Sequence, residues 1–293
     1  MKLMFISDNE FPEKWEGVVN TAQTENPSKI ISLGDNLPTG PRESVGADSP
    51  FKQTLKDLTK QGKITKEQLK EMSLENQLGL VYDTMGHDVF MSIYSMAPEF
   101  IKNGALYIRN SSLPRMLSIT GNREFDYEKL LEFIAKKQNV KSVNYIDELN
   151  GTNKFDLLTL ARSMQIDSTG FLLIPYSPNL KEVSESLEDC YDKINEMNPS
   201  RLVILTHENP YPEGLGVTNR PVKTKEILEA AMNKTKEIAT KHAIYKRPTL
   251  FCGHLAMTSN LYEKDGVDIQ PLSADEAILY NSENGGYDKL RIC

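Results

Sequence analysis

Five short segments of this sequence place metal-binding side-chain types at the end of an apolar run. They are Ile6-Ser7-Asp8-Asn9-Glu10, Leu33-Gly34-Asp35-Asn36, Ile119-Thr120-Gly121-Asn122-Arg123-Glu124, Leu205-Thr206-His207-Glu208-Asn209 and Phe251-Cys252-Gly253-His254-Leu255-Ala256. The recurring Asp, Asp, Asn, His and His are oxygen and nitrogen donors of the kind that hold divalent cations. The chain has four histidines, and two of them, His207 and His254, occupy this position. Glycine precedes Asp35, Asn122 and His254. It lets the backbone turn sharply, so that the next side chain projects beyond the run.

The elements that must position these donors are legible in the apolar pattern. Runs at 3–6, 30–33, 116–119, 171–174, 202–205 and 250–252 are mostly continuous rather than alternating, as expected for strands buried on both faces. Helical patterns at 124–138, 181–197 and 222–244 lie between them. Strands interleaved with helices indicate an α/β protein. In open α/β sheets, ligand sites gather beyond the carboxyl ends of the strands, which is where all five donors fall.

Residues 37–113 form a long excursion that reads as a helical insertion or cap within a single domain spanning 1–293. Ser49-Pro50 supplies an N-cap and a proline at the first helical position, with Phe51, Leu55 and Leu58 on one face. Gly62 stops this helix, and Thr65 with Gln68 resembles a capping box opening the next. The caps and separate apolar face predict a semi-independent unit whose removal leaves the remainder folded. Lys52, Lys56, Lys60 and Lys63 make a basic stripe, read as a solvated face opposite the apolar one.

In order and spacing, the five segments resemble the calcineurin-like metallophosphoesterases, whose pattern runs DxH, GDxx, GNH[DE], a lone His, then GHxH. Here it reads Asp8-x-Glu10, Gly34-Asp35, Gly121-Asn122-Arg123-Glu124, His207 and Gly253-His254-Leu255-Ala256. The resemblance implies a two-sheet β-sandwich flanked by helices, four layers in all. It also implies two divalent metal ions (Mn, Mg, Zn or Fe) and hydrolysis of a phosphomonoester or diester by a metal-activated water. Carried over by position, Asp35 bridges the two ions, and Asn122, His207 and His254 complete the second site. Asp8 and Glu10 belong to the first, with Asn122, Arg123 and His207 in catalytic places.

Three positions depart from the pattern. Glu10 stands where histidine is usual, and Ala256 replaces the final histidine with a residue that cannot ligate. A first site of Asp8, Glu10 and Asp35 has only oxygen donors and favours a hard ion such as Mg²⁺ or Mn²⁺. The other outcome is a weak or empty first site. Arg123 replaces a histidine; a guanidinium cannot give up a proton at neutral pH but can grip phosphate oxygens in a fork, or simply pair with Glu124 or Asp126. Together these changes motivate the alternative of a binding or scaffold protein that keeps the fold and at least one metal site with little turnover. His87 and His242 read as structural or exposed, and Trp15 as a core residue.

Composition sets the remaining bounds. The net charge of -7 over 293 residues argues against a general nucleic-acid surface, leaving a small phosphorylated substrate as the expected partner and a protein partner through the insertion as the next. No stretch has the length and apolarity of a membrane span. Three cysteines without a CxxC pair fit a reducing, cytoplasmic setting.

Overall fold

The computed structural model describes residues 1–8, 13–36, 49–177, 179–211, 224–253 and 260–292. Glu10, His254 and Ala256 therefore lie outside the described residues, as do the ends of several loops.

Two six-stranded mixed sheets form the centre. In the first, β1 (Lys2–Ile6), β2 (Lys29–Ser32), β3 (Met116–Ile119) and β4 (Phe155–Leu158) run parallel, and β11 (Glu276–Asn281) and β12 (Tyr287–Arg291) add antiparallel strands on the β1 side, in the order β12-β11-β1-β2-β3-β4. In the second, β6 (Thr169–Ile174), β7 (Arg201–Thr206), β8 (Thr249–Cys252) and β10 (Val267–Pro271) are parallel. Its edges are the antiparallel strands β5 (Arg162–Ile166) and β9 (Tyr262–Lys264).

The alternation of side chains along each strand divides three apolar clusters among four layers. Leu3 and Phe5 of β1 join Leu117, Phe171, Leu205 and Phe251 between the two sheets. Met4 and Ile6, pointing the other way, join Trp15 of α1 (Glu13–Glu25) and Leu130 and Ile134 of α7 (Asn122–Gln138). On the far side, Leu172 and Ile204 pack with Leu187 of α9 (Leu180–Met197) and Met232 of α10 (Lys225–Lys241). Strands with helices or a sheet on each face are apolar at most positions, which makes β1, β2, β3, β6, β7 and β8 visible in the sequence; β11, buried over Ala277–Tyr280, meets the same condition but is not among the runs read there. Phe5 sits at the middle, 5.1 Å from Phe251 and 5.6 Å from Tyr280 between ring centroids.

Between β2 and β3 lie α2 (Pro50–Lys60), α3 (Lys66–Glu71), α4 (Leu74–Met85), α5 (His87–Tyr94) and α6 (Ala97–Asn110). The expected caps are present. Ser49 Oγ accepts from Lys52 N at 3.1 Å, and Thr65 and Gln68 close a reciprocal capping box. The helices share an apolar core with the sandwich. Phe51, Leu78, Val81, Phe90 and Ile101 belong to the same cluster as Met4, Trp15 and Phe133, and Phe90 lies 5.6 Å from the Phe133 ring of α7. The sandwich helix and the insertion helices thus bury one another. Lys56, Lys60 and Lys63 are exposed and Lys52 half-buried, consistent with a solvated stripe. A short α8 (Tyr145–Asn150) leads into β4. Among the described residues, no helix is long and apolar enough to cross a membrane.

Candidate metal centre

Four of the five segments can be followed to one end of the sandwich. Asp8 follows β1, Asp35 follows β2, Asn122 opens α7 after β3, and His207 follows β7. Asp8, Asp35 and His207 each bring a ligand atom within 4.8 Å of the others. The Asn122 side-chain oxygen lies 3.1 Å from His207 Nε2. Asp35 and His207 are fully buried.

The backbone is shaped to make this convergence. Asp8 and Asp35 both adopt left-handed conformations, with φ of 55° and 53°. Such a conformation costs a non-glycine residue on the order of 1 kcal/mol, least for Asp and Asn. Gly34 has φ of +99°, the conformational freedom expected of it. Gly121 and Gly253 are required for a different reason. A Cβ on Gly121 would collide with the Asp35 carboxylate, and one on Gly253 with Ser7 Oγ, coming within 2.6 Å of Asp8 Oδ2. These two glycines give the carboxylates room.

Glu124 binds the loops together, a role that its place in the motif did not reveal. Its fully buried carboxylate accepts from Gly121 N at 2.9 Å, Asp35 N at 3.2 Å, Asn36 N at 2.8 Å and Asn36 Nδ2 at 3.2 Å. The signal was available: Gly121 and Glu124 have the spacing of an N-cap and its third helical residue, where a glutamate reaches back to the cap N–H. Asn36 is fixed in turn by donation from its Nδ2 to Ser118 Oγ at 2.8 Å, and its carbonyl accepts from Trp15 Nε1 at 3.1 Å. Burial, with the Asp35 charge added, pushes the Glu124 carboxyl up to about 7.

His207 is oriented by the chain itself. Its Nδ1–H donates to the Leu33 carbonyl at 2.9 Å, which turns Nε2 toward Asn122 Oδ1 and, at 3.3 Å, Asp35 Oδ2. Both ring nitrogens therefore face acceptors. Burial alone would depress the imidazole, but the Asp35 carboxylate, helped by Asp8 and Glu124, outweighs it and pushes His207 up to about 10. The same neighbours act on Asp35 in reverse: burial would raise it, whereas His207 and Arg123 hold it well below the usual carboxylate range.

Arg123 turns toward Asp35. Its backbone N donates to Asp35 Oδ1 at 2.9 Å, and its Nε lies 3.4 Å from Oδ2. Asp35 Oδ2 is nonetheless a buried oxygen that accepts no hydrogen bond. A buried carboxylate on which Asp8 and His207 converge, with Asn122 Oδ1 beside His207 Nε2, fits a divalent cation by donor type and spacing. Ser7 Oγ supports Asp8 by donating to its Oδ2 at 2.6 Å.

The other histidines are placed elsewhere. His87 Nδ1 pairs with Tyr82 Oη at 2.9 Å on the exposed surface, and His242 Nδ1 with Asn198 at 2.7 Å. Trp15 is fully buried in the core, as expected.

No family model matches the chain, and no curated protein matches it. Among solved structures, it is similar to a 5'-nucleotidase precursor from Thermus thermophilus (TM-score 0.35, 11% identity), covering 100% of this chain and 54% of that one. The chain thus spans about half the length of that protein. It is also similar to the phosphoesterase Yfce from E. coli (TM-score 0.32, 12% identity), with 100% of both chains covered. The architecture of this chain is two mixed six-stranded sheets flanked by helices, an α/β sandwich with its donor residues at one end.

Proposed function

We propose that this chain is a metal-dependent phosphoesterase whose centre is built on Asp8, Asp35, Asn122 and His207. The observation that carries this is the convergence of Asp8, Asp35 and His207, whose ligand atoms lie within 4.8 Å of one another, with Asn122 Oδ1 3.1 Å from His207 Nε2. Glu10 and His254, assigned from sequence, complete the donor set. These residues would hold a divalent cation, which when bound would supply charge neutralisation at phosphoryl oxygens and acidification of a water.

The protein's own groups supply orientation. The Leu33 carbonyl holds the His207 ring so that Nε2 faces inward, and Glu124 holds the Asp35 and Asn122 loops at a constant separation. Arg123, whose side chain is 20% exposed, is placed to swing its fork from Asp35 to phosphate oxygens as a substrate enters. The test is turnover of p-nitrophenyl phosphate and bis-p-nitrophenyl phosphate with and without Mn²⁺. Activity that needs the ion and disappears in Asp35→Asn is expected; ion-independent activity, or none on any ester with Mn²⁺ bound, overturns the proposal.

One observation favours a second reading. Arg123 already lies beside Asp35 Oδ2, a cation that can balance the carboxylate in place of one metal ion. On this reading the chain keeps at least one metal site and works as a binding or scaffold protein with little turnover. Turnover measured with Mn²⁺ bound separates the two: a bound ion without hydrolysis of any ester favours the second.

A further inference from the structure

We propose that a groove beside the centre, between the α3–α4 corner and the first two turns of α7, takes an aromatic or other flat apolar group of the substrate. The chain would then act on phosphoesters of ring-bearing alcohols. The link to catalysis rests on the hydrolase proposal; the affinity of the groove for a ring does not.

The groove has a volume of about 600 Å³, within the range that encloses a small organic molecule. Leu69, Met72 and Leu74 form one wall, and Phe125 and Tyr176 the other. The two rings lie 6.0 Å apart at 53°, in contact with each other, and together present one aromatic wall to the groove. Tyr176 is tied to the end of β3: its N donates to the Thr120 carbonyl at 2.8 Å, and Thr120 Oγ1 donates to the Tyr176 carbonyl at 2.8 Å.

Continuity with the centre comes from helix geometry. Asn122, Phe125, Asp126 and Lys129 stand at i, i+3, i+4 and i+7 of α7, one stripe on one face. Asn122 belongs to the centre and the other three line the groove. With a rise of about 1.5 Å per residue, the groove opens within about 5 Å of Asn122 along the helix axis. A phosphoryl group held by the centre would project its alcohol portion into this space. Charge narrows the ligand class: Lys70 and Lys129 on the rim are balanced by Glu75 and Asp126, and Lys129 is occupied by Glu132 at 2.7 Å. A second phosphate gains nothing from such a rim, whereas a neutral ring gains from the apolar walls.

The test uses non-hydrolysable probes, so that leaving-group chemistry does not enter. Methylphosphonate, 2-naphthylmethylphosphonate and 2-naphthylmethanol are titrated calorimetrically into the full chain with Mn²⁺. The naphthyl phosphonate is expected to bind about tenfold more tightly than methylphosphonate, with the ratio falling below about threefold in Phe125→Ala. Equal affinities in the parent protein overturn the proposal, whether or not the variant folds. Should neither phosphonate bind while naphthylmethanol binds and Phe125→Ala weakens it, the groove stands and the hydrolase proposal falls. If naphthylmethanol fails to bind and the phosphonates bind alike, the groove proposal falls alone.

Discussion

His207 Nδ1 lies 2.9 Å from the main-chain carbonyl oxygen of Leu33, two residues before Asp35. The contact fixes both the tautomer and the direction of the ring, and leaves Nε2 in a pocket where acidic groups favour a proton. In protein stripped of metal, that proton has a consequence for stability. His207 is raised from 6.5 to about 10, so its contribution is full below about pH 6.5 and lost as pH climbs toward 10. Glu124, raised from 4.5 to about 7, works in the same direction, because the folded chain binds its proton more tightly than the unfolded one. Asp35 is lowered, and its contribution disappears only under strong acid. Thermal melts in EDTA should therefore show a midpoint that declines from about pH 5 to about pH 9. A midpoint that rises over this interval contradicts the arrangement.

Substitution at the centre should separate metal binding from folding. Asp35→Asn and His207→Ala are each expected to weaken Mn²⁺ binding by more than about a hundredfold. Asp35→Asn also removes the anion that balances His207 and Arg123, so it should cost stability as well, and metal content is compared where urea unfolding shows the variant folded. Equilibrium dialysis of both variants reads the outcome; unchanged metal content in both would remove these residues from the centre.

Glu124 is a positioning residue. Glu124→Ala leaves four N–H donors without their acceptor, a loss of about 2–3 kcal/mol in urea unfolding. Metal affinity should fall with it, because the Asp35 and Gly121 loops lose their common anchor. Glu124→Gln retains one acceptor oxygen and should recover part of both. If Glu124→Ala costs stability but leaves Mn²⁺ affinity unaltered, Glu124 supports the fold alone.

The insertion helices should prove inseparable from the sandwich. Replacing residues 50–110 by a short linker uncovers Trp15, Leu130 and Ile134, and no folded protein is expected by circular dichroism and gel filtration. Phe90→Ala, a milder change in the same interface, should cost about 3–5 kcal/mol. A well-folded deletion variant would show that the shared cluster is dispensable.

Glu10 and Ala256 bear on ion choice. Glu10→His with Ala256→His replaces an oxygen donor and an inert methyl by two imidazoles, and selectivity should move from Mn²⁺ toward Zn²⁺. Competition between the two ions, measured in parent and variant, checks this. An unchanged preference would place both residues away from any ion.

The sequence by itself determined the α/β class, six of the buried strands though not β10 or β11, and the chemical types at strand ends. Continuous apolar runs report burial on two sides, and a donor after such a run is visible wherever it occurs. Strands with mixed exposure were not legible: β5, β9 and β12 each carry several exposed positions, so their apolar signal is thin. The caps at Ser49 and Thr65 were readable because a cap is made within four residues. Glu124 was only half readable, since the residues it steadies at 35 and 36 lie 89 and 88 positions away. Only the tertiary structure decided that Phe5 faces Phe251, that α4 and α5 dock on α7, and that Arg123 turns to Asp35. Local periodicity records how much of each segment is buried, whereas the partner that buries it is chosen by packing between segments distant in the chain.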